Sequence, residues 1–307
     1  MNLQTTRGSH PLFQRIGLFD SGVGGLSVLK ELTTVAGQGD RHFFYFGDTA
    51  RCPYGNREAS EIKEFVEEII AFLEAQNVDS IIMACNTSAA CALDLAREKA
   101  SVPVFDLISL TADYVSSFGR KVGVMATAST VKSMLFSKLI QTHDPSIDVF
   151  ELACPELVPI IESGQIEDPA TRDVLQQYAR KLLEQQVEVL ILGCTHFPFI
   201  RSQLQPFLGE NVMIVNPADV LREYLGAQNV VTSSAAQTIN HMQFYVSGNP
   251  DSFTRAAQLC FGILPGPVHK VDVAPDAQAV LMQRLSDVAT STDPMPSHTV
   301  QSPTTPS

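Results

Sequence analysis

Two segments of this sequence end an apolar run in a thiol that is followed at once by hydrogen-bonding side chains: SIIMACNT (80–87) and VLILGCTH (189–196). A free thiol has a reference pKa of about 8.5, close enough to neutrality to serve as acid or base. One cysteine at the end of an apolar strand is most often a small buried hydrophobe. Two in matched contexts point further. If Cys85 and Cys194 approach one carbon from opposite faces, one removes a proton and the other delivers one, which is what a two-base racemase needs. One sulfur must then be thiolate and the other thiol before each turnover, so nearby groups must hold that asymmetry. His196 lies two residues past Cys194, and Asp20 ends a strand that should neighbour the Cys85 strand. Ser21, Asn86, Thr87, Thr127, Thr130 and Thr195 offer neutral donors for carboxylates and for an anionic intermediate.

The elements that carry these residues recur. AQNVDSIIMAC (75–85) aligns with EQQVEVLILGC (184–194) at an offset of 109 residues, Cys85 on Cys194. RIGLFDSGVGGLSVLKEL (15–32) aligns with KVGVMATASTVKSMLFSKL (121–139) at an offset of 106, Gly17 on Gly123. Each unit has a first strand ending in small hydroxyl residues and a later one ending in cysteine. RIGLFD, HFFYFGD, SIIMA, KVGVMA, IDVFEL and VLILG read as strands. Residues 57–76 place Ile62, Phe65, Val66, Ile69 and Leu73 on one helical stripe. Two-sided apolar strands alternating with amphipathic helices predict an α/β fold of two pseudo-symmetric domains. Each is a mainly parallel sheet covered by helices. Ligands bind beyond the carboxyl ends of such strands, so the active site is expected in the cleft between the two units.

The remaining candidates are assigned to packing or surface. Cys52, Cys91, Cys154 and Cys260 read as structural. His10, His42, His143, His241, His269 and His298 have no companions at ligand spacing. The glycines of DSGVGGLS match no phosphate-binding signature and read as a tight turn with close backbone approach. There is no CxxC, and six cysteines spread over 307 residues do not form a disulfide framework. The net charge of −12, with no Lys/Arg run, argues against nucleic acid as a partner. No stretch approaches the ~20 apolar residues of a membrane span, and MNLQTTRGSHPLFQR lacks a signal-peptide core, so the chain is expected in the cytoplasm. Residues 1–14 and the Ser/Thr/Pro-rich tail 287–307 are expected to be disordered.

Five motifs then carry a resemblance: IGLFDSGVGGLSVL, GDTARCPYGNR (47–57), ACNTSAA (84–90), PELVPIIESG (155–164) and LGCTHFPFI (192–200). Together they resemble the glutamate racemases, over roughly residues 15 to 265. The resemblance implies that Cys85 takes the α-proton of D-glutamate and Cys194 that of L-glutamate. It implies that Asp20 assists Cys85, and that His196 and Glu162 assist Cys194. Substrate is expected to touch Asp20, Ser21, Tyr54, Gly55, Asn86, Thr87, Thr195 and His196, with Thr127 and Thr130 as additions. No cofactor and no metal are implied. A homodimer in a bacterial cytoplasm, supplying D-glutamate for peptidoglycan, is implied. The first domain is placed at 15–108 plus 217–286 and the second at 109–216. The ATAST run (126–130), Cys52 and Phe197 depart from the usual family residues but remove no catalytic group. Three other readings stand beside this one. An aspartate-type racemase would share the two-thiol logic, although His after GCT argues against it. A gyrase-binding protein has no support in the sequence. A redox-sensing thiol protein would form a Cys85–Cys194 disulfide that amino acids do not prevent.

Overall fold

Glycine 17 and glycine 123 sit at the middle of two strands, and each is pressed by the helix that crosses over it. A side chain on Gly17 would stand 3.2 Å from Leu73, and one on Gly123 would stand 2.9 to 3.0 Å from Val187 and Leu182. The helix can lie close to the strand only because neither residue carries a Cβ. The repeat seen in the sequence is thus a repeat of packing. The computed structural model describes residues 14–34, 41–228, 240–262 and 266–273. The expected disorder at 1–14 and 287–307 lies outside these, residue 14 apart.

One sheet contains β1 (Arg15–Asp20), β2 (Arg41–Gly47), β3 (Ser80–Met83), β4 (Val104–Asp106), β9 (Asn240–Val246) and β10 (Val268–Lys270). The other contains β5 (Lys121–Ala126), β6 (Asp148–Ala153), β7 (Val189–Gly193) and β8 (Met213–Val215). Their strand orders are β10-β9-β2-β1-β3-β4 and β6-β5-β7-β8, with parallel pairing throughout the described residues. The two thiol-bearing strands pair with the first strand of their own unit in one register. Gly17 faces Ile81, and Gly123 faces Leu190. Those partners are equivalent under the offsets of 106 and 109.

Both sheets read as apolar runs because both faces are covered. Strands β1, β2, β3, β5 and β7 are almost wholly buried. In the first core, Ile16, Leu18, Phe43 and Tyr45 pack with Leu26, Leu29 and Leu32 of helix Leu26–Thr33. Ala218, Leu221 and Leu225 of helix Pro217–Gln228 join the same core. The chain therefore comes back to the first sheet after β8, and β9 and β10 extend it. The second core joins Leu190 and Leu192 to Leu175, Tyr178 and Leu182 of helix Pro169–Glu184. No described helix is long and apolar enough to cross a membrane.

Candidate active site

Parallel strands deliver all their carboxyl ends to one side. Asp20 is the last residue of β1 and Ser21 follows it. Cys85 stands two residues past β3 and is the N-cap of helix Asn86–Lys99. Cys194 follows β7 directly. Both thiols line one cavity of about 760 Å³. Ser21, Tyr54, Gly55, Asn86, Thr87, Thr127, Glu162, Thr195 and His196 line it with them. Asp20 and Thr130 stand behind the wall. Thr195 Oγ1 donates to Asp20 Oδ2 at 3.2 Å, and the hydroxyls of Thr130 and Thr127 are 3.0 Å apart. All the site residues expected from sequence are thus brought to one cleft, with the two thiols contributed by different sheets.

The surroundings of the two sulfurs differ. Cys85 Sγ lies 3.8 Å from Ser21 Oγ. Burial, then the charge of Asp20, push the Cys85 thiol up to about 12, against hydrogen bonds from Ser88 and Ser21. Burial also raises the Asp20 carboxyl, which the charge of His196, the amides of Gly22 and Gly25 and the Thr195 hydroxyl pull back. Cys194 Sγ lies 3.8 Å from His196 Nδ1, and His196 Nε2 lies 3.0 Å from Glu162 Oε1. Burial alone would lower this imidazole. Its hydrogen bonds to Cys194 and Glu162, with the charges of Cys194 and Asp20, outweigh burial and hold it well above its ordinary value. An imidazole whose protonated form is favoured therefore lies beside Cys194, whereas an acidic side chain, Asp20, acts on Cys85.

The DSGVGG turn is what lets the two sheets meet here. A Cβ on Gly24 would lie 2.6 Å from His196 ring atoms and closer still to Thr195 Oγ1. Ser27 Oγ donates to Thr195 O at 2.9 Å across the same contact. The reading of these glycines as a close-approach turn matches this geometry.

On the other wall, Tyr54 is held by a short hydrogen bond from its hydroxyl to buried Asp48. Asp48 also accepts from Arg51 Nε at 2.7 Å and from Ser247 Oγ at 2.7 Å. Burial and Asp48 raise the Tyr54 phenol, so it remains a donor. Neither side-chain polar atom of buried Asn86 has a partner in the protein, an arrangement that suits a ligand in the cavity. Thr87 and Thr127 meet across the cleft at 3.0 Å.

Sequence reasoning left out four participants. Asp48 was visible inside GDTARCPYGNR, but its partners Tyr54 and Ser247 are separated by up to 199 residues. Ser27 was visible only as part of a helix. Cys52 and Cys154, assigned to packing, also line the cavity, and burial raises both thiols. Cys91 is half-buried on helix Asn86–Lys99, and the side chain of Cys260 lies outside the described residues. His42 and His241, paired in register, stack with ring centroids 4.6 Å apart at the far end of the sheet.

Residues 16–225 match the model of the Asp/Glu/Hydantoin racemase family. The glutamate racemase of Desulforudis audaxviator is 38% identical over 268 residues, which are 83% of this chain and 97% of that protein. The chain belongs to the Asp/Glu/hydantoin racemase family, among the glutamate racemases. Crystal structures agree with that placement. The Bacillus anthracis glutamate racemase isoform RacE1 superposes with a TM-score of 0.77 at 30% identity, covering 86% of this chain and 98% of that one. The Francisella tularensis glutamate racemase in complex with D-glutamate gives 0.76 at 30% identity, covering 85% and 98%. As a glutamate racemase homologue the chain is an isomerase, and its two parallel sheets are the family's α/β architecture.

Proposed function

We propose that the protein interconverts L- and D-glutamate by exchange of the α-proton between Cys85 and Cys194. The observation that carries this reading is that both thiols, from the ends of β3 and β7, line one cavity from different sheets. In the D-to-L direction the Cys85 thiolate takes the α-proton. The C–H bond breaks, an S–H bond forms and the electron pair stays on the substrate. The Cys194 thiol then delivers its proton to the opposite face and is left as thiolate. The reverse direction exchanges the roles.

The cavity lining contains no lysine or arginine among the described residues. Substrate carboxylates therefore rest on neutral donors: the hydroxyls of Ser21, Thr87 and Thr195, the Asn86 amide, and the N-terminus of helix Asn86–Lys99. Neutral donors placed in advance also suit the carbanionic intermediate, whose charge grows where they point. His196, protonated and held by Glu162, provides the countercharge that a Cys194 thiolate needs. Asp20 and Ser21 serve the Cys85 side. In the bacterial cytoplasm the product would feed peptidoglycan synthesis.

Circular dichroism of each enantiomer tests this. The wild type is expected to lose optical activity from either side. Cys85→Ser and Cys194→Ser are each expected to fall by at least about 100-fold, the low end for losing a general base. The gene should also rescue a strain that requires external D-glutamate. A variant of either cysteine with full activity on both enantiomers would refute the two-thiol reading.

A further inference from the structure

The rim of the cleft is bridged at a place that none of the substrate-facing side chains occupies. Helix Ala128–Ser133 starts at the end of β5, capped by Thr127, which accepts from Thr130 N. Its second residue, Ser129, is half-buried, and its hydroxyl donates to the carbonyl of Gly55 at 2.7 Å, 74 residues away in the chain. Gly55 lies in the turn Tyr54–Asn56 that follows β2, so the bond joins the second sheet to the first. The approach is close, since a side chain on Gly55 would stand 3.6 Å from Thr127 Cβ.

Among the described residues, the other hydrogen bonds that hold the Tyr54–Asn56 turn come from its own side. Tyr54 is anchored on Asp48, Arg57 N donates to Tyr54 O at 3.0 Å, and Arg57 Nε donates to Arg51 O at 3.2 Å. Tyr54, Gly55 and Asn56 all line the cavity, as does Ala128, whereas Ser129 does not. The other cross-cleft contacts on this wall join Thr87 to Thr127 at 3.0 Å and to Thr130 at 3.5 Å, and the Thr87 and Thr127 hydroxyls face the cavity and become available to a substrate. Ser129 is free of that competition.

We infer that Ser129 is a positioning residue of the racemase: its hydroxyl latches the 53–57 turn to the second sheet and so sets the wall against which substrate is held. The inference rests on the reading of this cavity as the glutamate site. A latch made in the closed site is shared by ground state and transition state, so its loss weakens binding of both alike and leaves the proton transfers intact.

Steady-state kinetics of wild type, Ser129→Ala and Ser129→Thr with each enantiomer, alongside amide hydrogen exchange over residues 53–57, tests this. Ser129→Ala is expected to raise KM for both enantiomers by about 2- to 10-fold, the effect of one ordinary hydrogen bond. Its kcat should stay within about twofold, exchange at 53–57 should quicken, and the thermal midpoint should not change. Ser129→Thr, which keeps the hydroxyl, should restore KM and exchange. Equal exchange in wild type and Ser129→Ala overturns the latch whatever the kinetics show. An equal fall in kcat and kcat/KM with a lowered thermal midpoint, unrescued by threonine, assigns Ser129 to folding and also overturns it. Wild-type protein inactive on glutamate would instead refute the reading of the site, and the positioning role with it.

Discussion

His196 is the residue on which the asymmetry of the site depends. It touches Cys194 on one ring nitrogen and Glu162 on the other, and its side chain is almost fully buried. Folding raises its pKa above the ordinary 6.5. A group whose pKa rises on folding stabilises the native state fully below the unfolded value, and that contribution is lost as pH climbs through the folded value. The urea midpoint of the wild type should therefore decline as pH rises above 6.5, and His196→Gln should show a weaker decline over the same window. A decline of equal size in both proteins would show that another group carries it. At this scale the sequence was legible where position did the work: a thiol at the tip of a buried strand, twice. It was silent where a side chain acts through a distant partner. Ser129 and Gly55, Ser27 and Thr195, and Asp48 and Ser247 are paired by the fold and carry no local signal.

Strands ending in the same direction are what convert scattered residues into a site. The longer strands, RIGLFD, KVGVMA and VLILG, were legible because both faces are buried and nothing interrupts the apolar run. The three-residue strands Val104–Asp106, Met213–Val215 and Val268–Lys270 were not, since so short a segment has no period to read. The return of the chain to the first sheet was visible only through family resemblance, because β9 is exposed at His241 and Met242 and shows no apolar run there. The turn between β1 and helix Leu26–Thr33 is the element with least freedom. Gly24→Ala would place a methyl within 2.6 Å of His196, and either the turn or the imidazole must move. We expect a loss of about 1–3 kcal/mol of stability, as for other overpacked sites, together with at least a tenfold fall in kcat/KM. Chemical denaturation and kinetics on purified protein check both. A variant with wild-type kinetics would mean that the contact between the two sheets at His196 is not needed in turnover.

The whole molecule places two equivalent strand ends, in equivalent register, on the two sides of one cavity. The repeat of one unit design accounts for each thiol following a strand paired with the first strand of its own unit. The surroundings differ, with Asp20 and Ser21 on the side of one sulfur and His196 with Glu162 beside the other. Identical surroundings could not distinguish the two sulfurs; their unlike neighbours do. Since the net charge is −12, the proposed function leaves the attraction of an anionic amino acid to the cavity itself, whose lining offers hydroxyls and amides and, among the described residues, no lysine or arginine. In the proposed reaction the α-proton leaves to one thiol and a different proton returns from the other. The direct measurement is deuterium incorporation: each glutamate enantiomer incubated with the protein in deuterium oxide, sampled at early conversion, and the α-position of both enantiomers read by NMR after chiral separation. Two-thiol exchange predicts deuterium in nearly all of the inverted product and little in the unconverted substrate, with neither seen in Cys85→Ser or Cys194→Ser. Inverted product that retains the original α-hydrogen would mean that one base serves both faces, and the two-thiol account would fall.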